Sequence, residues 1–293
     1  MGRLVATLRR QPLLGYFALT YAISWGGVLA IVGIGGLRSG FLALTRGMWV
    51  WAAMLAGPSI AGILLTYVVS GPAGLRDIWR GLGRWRVLRR WYATLLVAPV
   101  IGSLIVLALS LVSEDFRPWL IVEPNKVLVF GMFLALVVGA WVEELGWTGY
   151  ATPRLRMIHG PAYAALLLGS LHGAWHFLAD FSGRADAPAL LYVPRFVVFW
   201  LVGLIALRLL MVWVYEHTES LLLGQLIHAS YTAPLFLLTP PAASAAQLLL
   251  LWTVFTVVFV TVVVGLVRRE ALGLSIDAHS ARWMPAPNER TFS

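Results

Sequence analysis

Residues 127–147 read VLVFGMFLALVVGAWVEELGW. The run is about as long as an α-helix needs to cross a ~30 Å hydrocarbon core. It is apolar on every face until Glu143 and Glu144 interrupt it close to its end. A helix apolar all round belongs inside a large core or in lipid. Working outward, the pattern recurs at Leu13–Gly36, Trp49–Ser70, Trp91–Val112, Pro161–Ala179, Pro194–Tyr215, Ser220–Leu238 and Ala246–Val267. The expectation is an all-α polytopic membrane helical bundle of about eight transmembrane helices. It forms a single integral-membrane domain over residues 1–293, with a cytoplasmic tail at 268–293.

The whole chain agrees with that stretch. Of its 293 residues, 60% are hydrophobic and 12% charged, and the mean hydropathy is +0.82. Soluble domains carry about 25% charged residues, so this chain cannot cover itself with polar surface in water. There is no cysteine, which excludes disulfides, thiolate-bound metals or clusters, and thiol nucleophiles. The first apolar run is too long for a signal-peptide core and no small-residue cleavage pattern follows it, so it reads as a retained span.

The net charge is +9, but the arginines sit between the apolar runs, which points to lipid headgroups rather than nucleic acid. With eight spans and the N-terminus inside, the inner segments hold Arg3, Arg9, Arg10, the six arginines of Leu75–Arg90, Arg154, Arg156, Arg268, Arg269, Arg282 and Arg290. The outer segments hold only Arg38, Arg46, Arg117, Lys126, Arg184 and Arg195. The positive-inside rule then places both termini in the cytoplasm. Within Leu75–Arg90 the arginines alternate with Trp79, Leu82, Trp85 and Leu88. That pattern is either an interfacial amphipathic helix or an ordinary positive-inside loop with aromatic anchors.

Ionisable side chains inside spans are costly, which makes them functional candidates. They are Glu143, Glu144, His172, His176, Arg208 and His228, with the amide of Gln225 beside them. Adjacent helical positions point ~100° apart, so Glu143 and Glu144 cannot pair with each other; one can face a cavity while the other anchors a neighbouring helix. His172 and His176 share a face one turn apart. The junction His159-Gly160-Pro161 breaks the helix midway between Glu143 and His176, which puts those two at similar depth on antiparallel arms. His228 follows Glu219 by nine residues, about 13 Å along a helix. Three spans can thus bring one carboxylate and two imidazoles together. Arg208 reads as a snorkelling or ion-paired residue and Gln225 as interhelical glue.

Glutamate with histidine suits general-base activation of water, with a second histidine at an oxyanion. The same residue types can hold zinc, although the His-Glu-x-x-His arrangement of the zincins is absent.

Glu143-Glu144-Leu-Gly-Trp-Thr148 resembles the first motif, Glu-Glu-x-x-x-Arg, of the CPBP family: the CAAX prenyl proteases and bacteriocin-processing or Abi proteins. His172-Gly-Ala-Trp-His176 is similar to its second motif, Phe-x-x-x-His, and His228-Ala-Ser-Tyr-Thr232 to its third, His-x-x-x-Asn. The resemblance runs over a core of residues 49–234. It implies an intramembrane endopeptidase acting on a membrane-associated protein or peptide substrate, commonly in the bacterial plasma membrane. In that reading Glu143 activates water, His176 assists, His228 contributes to the oxyanion site, and Glu144 supports the first motif. Should a metal be held, the expected ion is zinc on Glu143, His176 and His228. Thr148 stands where the motif has arginine, His172 where it has phenylalanine, and Thr232 where it has asparagine. Thr232 keeps a hydroxyl donor in place of the amide. These departures leave open a non-catalytic immunity or partner protein on the same fold. A transporter is disfavoured, because there is no internal repeat and no pair of broken helices.

Overall fold

The computed structural model describes residues 2–37, 44–182 and 188–271, and every regular element among them is helical. A short helix α1 (Gly2–Arg10) precedes α2 (Pro12–Gly36), which begins on a proline, where the missing N–H costs nothing. Next comes α3 (Leu44–Leu82), kinked where Gly71 takes a φ of 63° ahead of Pro72. Then α4 (Val97–Ser110) leads to α5 (Lys126–Gly146), whose first turn is capped by the Asn125 side chain accepting from the Leu128 N–H. A π-helical turn, Trp147–Ala151, joins α5 to α6 (Thr152–His159). The ring of Pro153 would collide with the carbonyl four residues earlier in a regular helix. The wider turn opens there, and the Thr152 hydroxyl donates to the Trp147 carbonyl. Gly160, at φ 77°, reverses the chain into α7 (Pro161–Trp175). The remainder is α8 (Ala189–Phe196), a second π segment Val197–Val202, α9 (Gly203–Thr218), α10 (Leu221–Leu238) and α11 (Ala245–Ala271).

Among the described residues, seven helical stretches are long and apolar enough to cross a membrane: Pro12–Gly36, Arg46–Leu82, Arg89–Ser110, Lys126–His159, Ala189–Thr218, Leu221–Leu238 and Ala245–Arg269. The chain is a multi-pass membrane protein. The expected span Pro161–Ala179 is the difference. There α7 stops after 15 residues, about 22 Å at 1.5 Å per residue. The His176 N–H bonds the Gly173 carbonyl three residues back, which tightens the last turn, and a separate short helix covers Phe177–Ser182. Much of α7 is buried by protein, so its hydrophobicity serves the core more than lipid.

Among the described residues the long helices still alternate in direction, α7 included. Ser24 bonds Met54 and Gly27 faces Ala53, so α2 and α3 are antiparallel. Tyr21 donates to the Leu171 carbonyl and Trp25 to that of Trp175, so α7 runs parallel to α2. Gly169 faces Ile205 and Gly173 faces Leu201, which makes α9 antiparallel to α7. Tyr231 packs on Phe255 and Phe259 between α10 and α11.

Buried apolar residues form two clusters. One joins α2, α3, the α5–α6 turn and α7 around Tyr16, Trp147, Leu168 and Trp175. The other joins α4, α9, α10 and α11 around Leu207, Ile227, Tyr231 and Phe255. Of Leu75–Arg90, the part to Leu82 is helical beyond the Gly71 kink, with Trp79 exposed; residues 84–88 are not helical, and Trp85 and Leu88 are exposed. Arg38, Arg184, Arg282 and Arg290, and the expected tail beyond residue 271, lie outside the described residues.

Candidate active site

Glycines set the helix spacing at the site. A Cβ on Gly146 would lie 2.0 Å from the Pro58 carbonyl oxygen, so α5 and α3 touch backbone to backbone just after the two glutamates. A Cβ on Gly173 would lie 2.4 Å from the Trp200 carbonyl oxygen, and one on Gly169 2.5 Å from the Ile205 Cα. These contacts let α9 approach the α7 turn that carries His172.

The two glutamates diverge as adjacent helical positions must. Glu144 is fully buried and Arg208, also 0% exposed, clamps it from α9. Nη1 donates to Oε2 at 2.8 Å and Nη2 to Oε1 at 2.7 Å. His228 Nδ1 lies 2.7 Å from Oε1, and the Thr148 hydroxyl donates to Oε2. Both oxygens therefore have two partners each, which is a carboxylate's capacity. Glu143 points elsewhere: its Oε2 lies 3.2 Å from His172 Nε2, and its side chain lines a cavity of about 360 Å³.

His172 sits between the two carboxylates. Its Nδ1 is 2.9 Å from Arg208 Nη2 and 3.3 Å from Nε. Its ring lies 5.1 Å from that of His176 and 5.5 Å from that of His228. His176 ends α7 and stacks on Trp200, with ring centroids 3.8 Å apart. His228 and Thr232, one turn apart on α10, line the same cavity as Glu143 and His176. Aromatic rings including Trp51, Phe199 and Trp252 form much of the remaining wall, and the ion pair of Arg195 with Asp180 stands at its edge.

Of the residues singled out from sequence, Glu143, His176, His228 and Thr232 thus share one cavity, and Glu144 lies behind its wall. Gln225 donates to the Trp141 carbonyl at 2.8 Å, which makes it interhelical glue. Arg208 is ion-paired rather than snorkelling. What spacing alone missed is that His172 and Arg208 belong to the same polar network. Arg208 also comes close to Thr148, its Nη1 3.4 Å from the hydroxyl oxygen. A guanidinium thus stands beside the motif position that lacks arginine, delivered from another helix.

The potential metal ligands differ from expectation. Glu143, His172 and His176 offer atoms within 4.8 Å of one another, whereas His228 falls outside that group. Arginine is always a donor, so His172 Nδ1 must accept, and its single ring proton lies on Nε2, facing Glu143. A metal-bound imidazole needs a bare nitrogen at the ion and an N–H directed at an acceptor. His172 has the opposite polarity, and the trio as arranged does not fit a metal ion.

Residues 124–234, from just before α5 to near the end of α10, match the family model described as type II CAAX prenyl endopeptidase Rce1-like. This core is similar to the CAAX-protease (CPBP) family. The matched segment carries every member of the network: Glu143, Glu144, Thr148, His172, His176, Arg208, His228 and Thr232. At the family level the CAAX-protease core is that of an intramembrane endopeptidase, with membrane-associated substrates and a lipid surround. No curated protein matches the chain.

Proposed function

We propose that this protein hydrolyses peptide bonds of membrane-associated substrates with a water activated by Glu143. The observation that carries the reading is the division of labour between the adjacent glutamates. Glu144 has its oxygens committed to Arg208, His228 and Thr148 and reaches no open space, whereas Glu143 lines the cavity. A general base must reach the proton it removes. That requirement favours Glu143.

Water bound between Glu143 and His176 gives a proton to the Glu143 carboxylate as its oxygen attacks the scissile carbonyl carbon. The oxyanion forms beside His228 and Thr232. Glu144 accepts from His228 Nδ1, so the ring can carry a second proton and donate from Nε2, much as an aspartate supports a triad histidine. Collapse breaks the C–N bond, and Glu143 returns its proton to the departing amine nitrogen. The sum is one water divided between the two product ends. Stacking on Trp200 holds the His176 ring in place while the water is bound.

The bacterial plasma membrane is the proposed location, with both termini cytoplasmic, an orientation that the arginine distribution supports. The test compares peptide termini in membranes of cells expressing wild type or Glu143→Gln at matched levels. New termini near membrane-proximal segments, seen with the wild type alone, are expected. Identical termini in both, with the host phenotype retained in the variant, would overturn the catalytic reading and leave a partner protein on a protease fold.

A further inference from the structure

We propose that Arg208 is a positioning residue that sets the tautomer of His172 and, through that ring, the orientation of the Glu143 carboxylate. The inference deepens the hydrolytic reading of the same site, and its primary readout is independent of cleavage.

A guanidinium presents its donors in one rigid plane and has no acceptor. Here the plane is fully used. Nη1 and Nη2 straddle the Glu144 carboxylate, while Nη2 and Nε converge on His172 Nδ1. His172 is completely buried, with no water-exposed edge at which to relocate a proton. With Nδ1 forced to accept, the one ring proton resides on Nε2. That N–H donates to Glu143 Oε2, 3.2 Å away, and leaves Oε1 as the oxygen that can receive a proton from water.

The opposite tautomer would turn an Nδ1–H against the guanidinium and a bare Nε2 against the carboxylate. Both contacts would become repulsive, and Glu143 would swing off its oxygen position. Lysine cannot substitute for the arginine. Its ammonium can serve Glu144 or His172, but it lacks a second planar edge to hold both at once. Arg208, 64 residues from Glu144 in sequence, therefore serves both glutamates: it neutralises Glu144 and it aims Glu143.

The experiment uses the full-length protein in lipid nanodiscs, labelled with ¹⁵N at histidine, with the His172 signals assigned from their loss in His172→Gln. Protonated and bare ring nitrogens give well-separated ¹⁵N shifts. The wild type should show His172 as a single species, protonated on Nε2 and bare on Nδ1. Arg208→Lys keeps a positive charge for Glu144 and should replace that species with a mixture of tautomers. A wild-type His172 protonated on Nδ1, or an Arg208→Lys spectrum with His172 unchanged, overturns the proposal.

A second pair of variants separates positioning from packing. In His172→Gln the amide oxygen can accept from Arg208 and its N–H can donate to Glu143. His172→Leu fills the space approximately and does neither. Misplacing a catalytic group by ~1 Å costs about a hundredfold, so the Leu variant should lose about that much in kcat with KM little moved, and the Gln variant should recover most of it. Equal losses in both variants would overturn the proposal. Wild-type protein that cleaves nothing would defeat the protease reading, while the ring spectrum would still report on Arg208.

Discussion

Replacing Gly146 by alanine would push a methyl group into the backbone of the neighbouring helix. The new Cβ would stand 2.0 Å from the Pro58 carbonyl oxygen and 2.6 Å from both the Pro58 carbonyl carbon and the Tyr16 hydroxyl. Ordinary contact begins at 3.4 Å, so the gap must open by about 1.4 Å along the oxygen direction. The obstacle is backbone in a close-packed interior, which no side-chain rotation relieves. Overpacking of this kind costs about 1–3 kcal/mol, and the rigid obstacle puts this case at the upper end. The same displacement is transmitted to Glu143, less than one turn away, where a ~1 Å error costs about a hundredfold in rate.

Gly131 is the control on the same helix. A Cβ there meets nothing within 4 Å, and alanine improves intrinsic helix propensity by up to about 1 kcal/mol. Thermal unfolding in one detergent and cleavage of one membrane substrate, measured on both variants, decide the matter. Gly131→Ala should match or exceed wild type, and Gly146→Ala should lose both stability and rate. A Gly146→Ala protein with wild-type melting and wild-type rate would refute the backbone-contact argument.

Two further outcomes are expected. Arg208→Met strands Glu144 as a buried, uncompensated charge and should cost about 3–5 kcal/mol of stability, whereas Arg208→Met with Glu144→Gln should recover much of that loss; a double-mutant cycle from melting curves checks it, and strictly additive losses would count against the pair. Because both nitrogens of His172 are engaged, chelators should leave melting and cleavage unchanged, and added zinc should not raise the melting temperature; a zinc-dependent rise abolished by His172→Gln would contradict that expectation.

The membrane fold was legible from composition and run length, because a helix that must face lipid is apolar around its whole circumference. The split between Glu143 and Glu144 was legible too, since neighbouring helical positions diverge by ~100° whatever surrounds them. The reversal at Gly160 followed from Gly-Pro punctuation, and its φ of 77° is one that glycine adopts without strain. Pro161–Ala179 alone of the expected spans is not one unbroken long apolar helix, because α7 ends at Trp175 and is buried largely among other helices. Depth matching was only approximate for a related reason. The Trp147–Ala151 π turn packs extra residues into the arm between Glu143 and Gly160, so Glu143 meets His172 as well as the region of His176.

The role of His172 was out of reach of spacing. Its importance comes from which atoms of two other helices meet its ring. Arg208 left a usable signal all the same. A lone arginine in an apolar run needs a carboxylate partner at depth, and only Glu143 and Glu144 stand within the expected spans.

The two apolar clusters divide the network between them. His172 rides on a helix of the first and Arg208 and His228 on helices of the second, while Glu143 and Glu144 stand on α5, which leads into the first through Trp147. Arg208 bonds His172 across the two clusters, and together with His228 it ties Glu144 to the second. Parting the two clusters, as admitting a substrate segment sideways from the lipid would require, would break these polar contacts together with the close glycine-lined packing of α7 on α9. With Glu143 as the proposed base, such an opening would also withdraw Arg208 from the imidazole that aims that carboxylate.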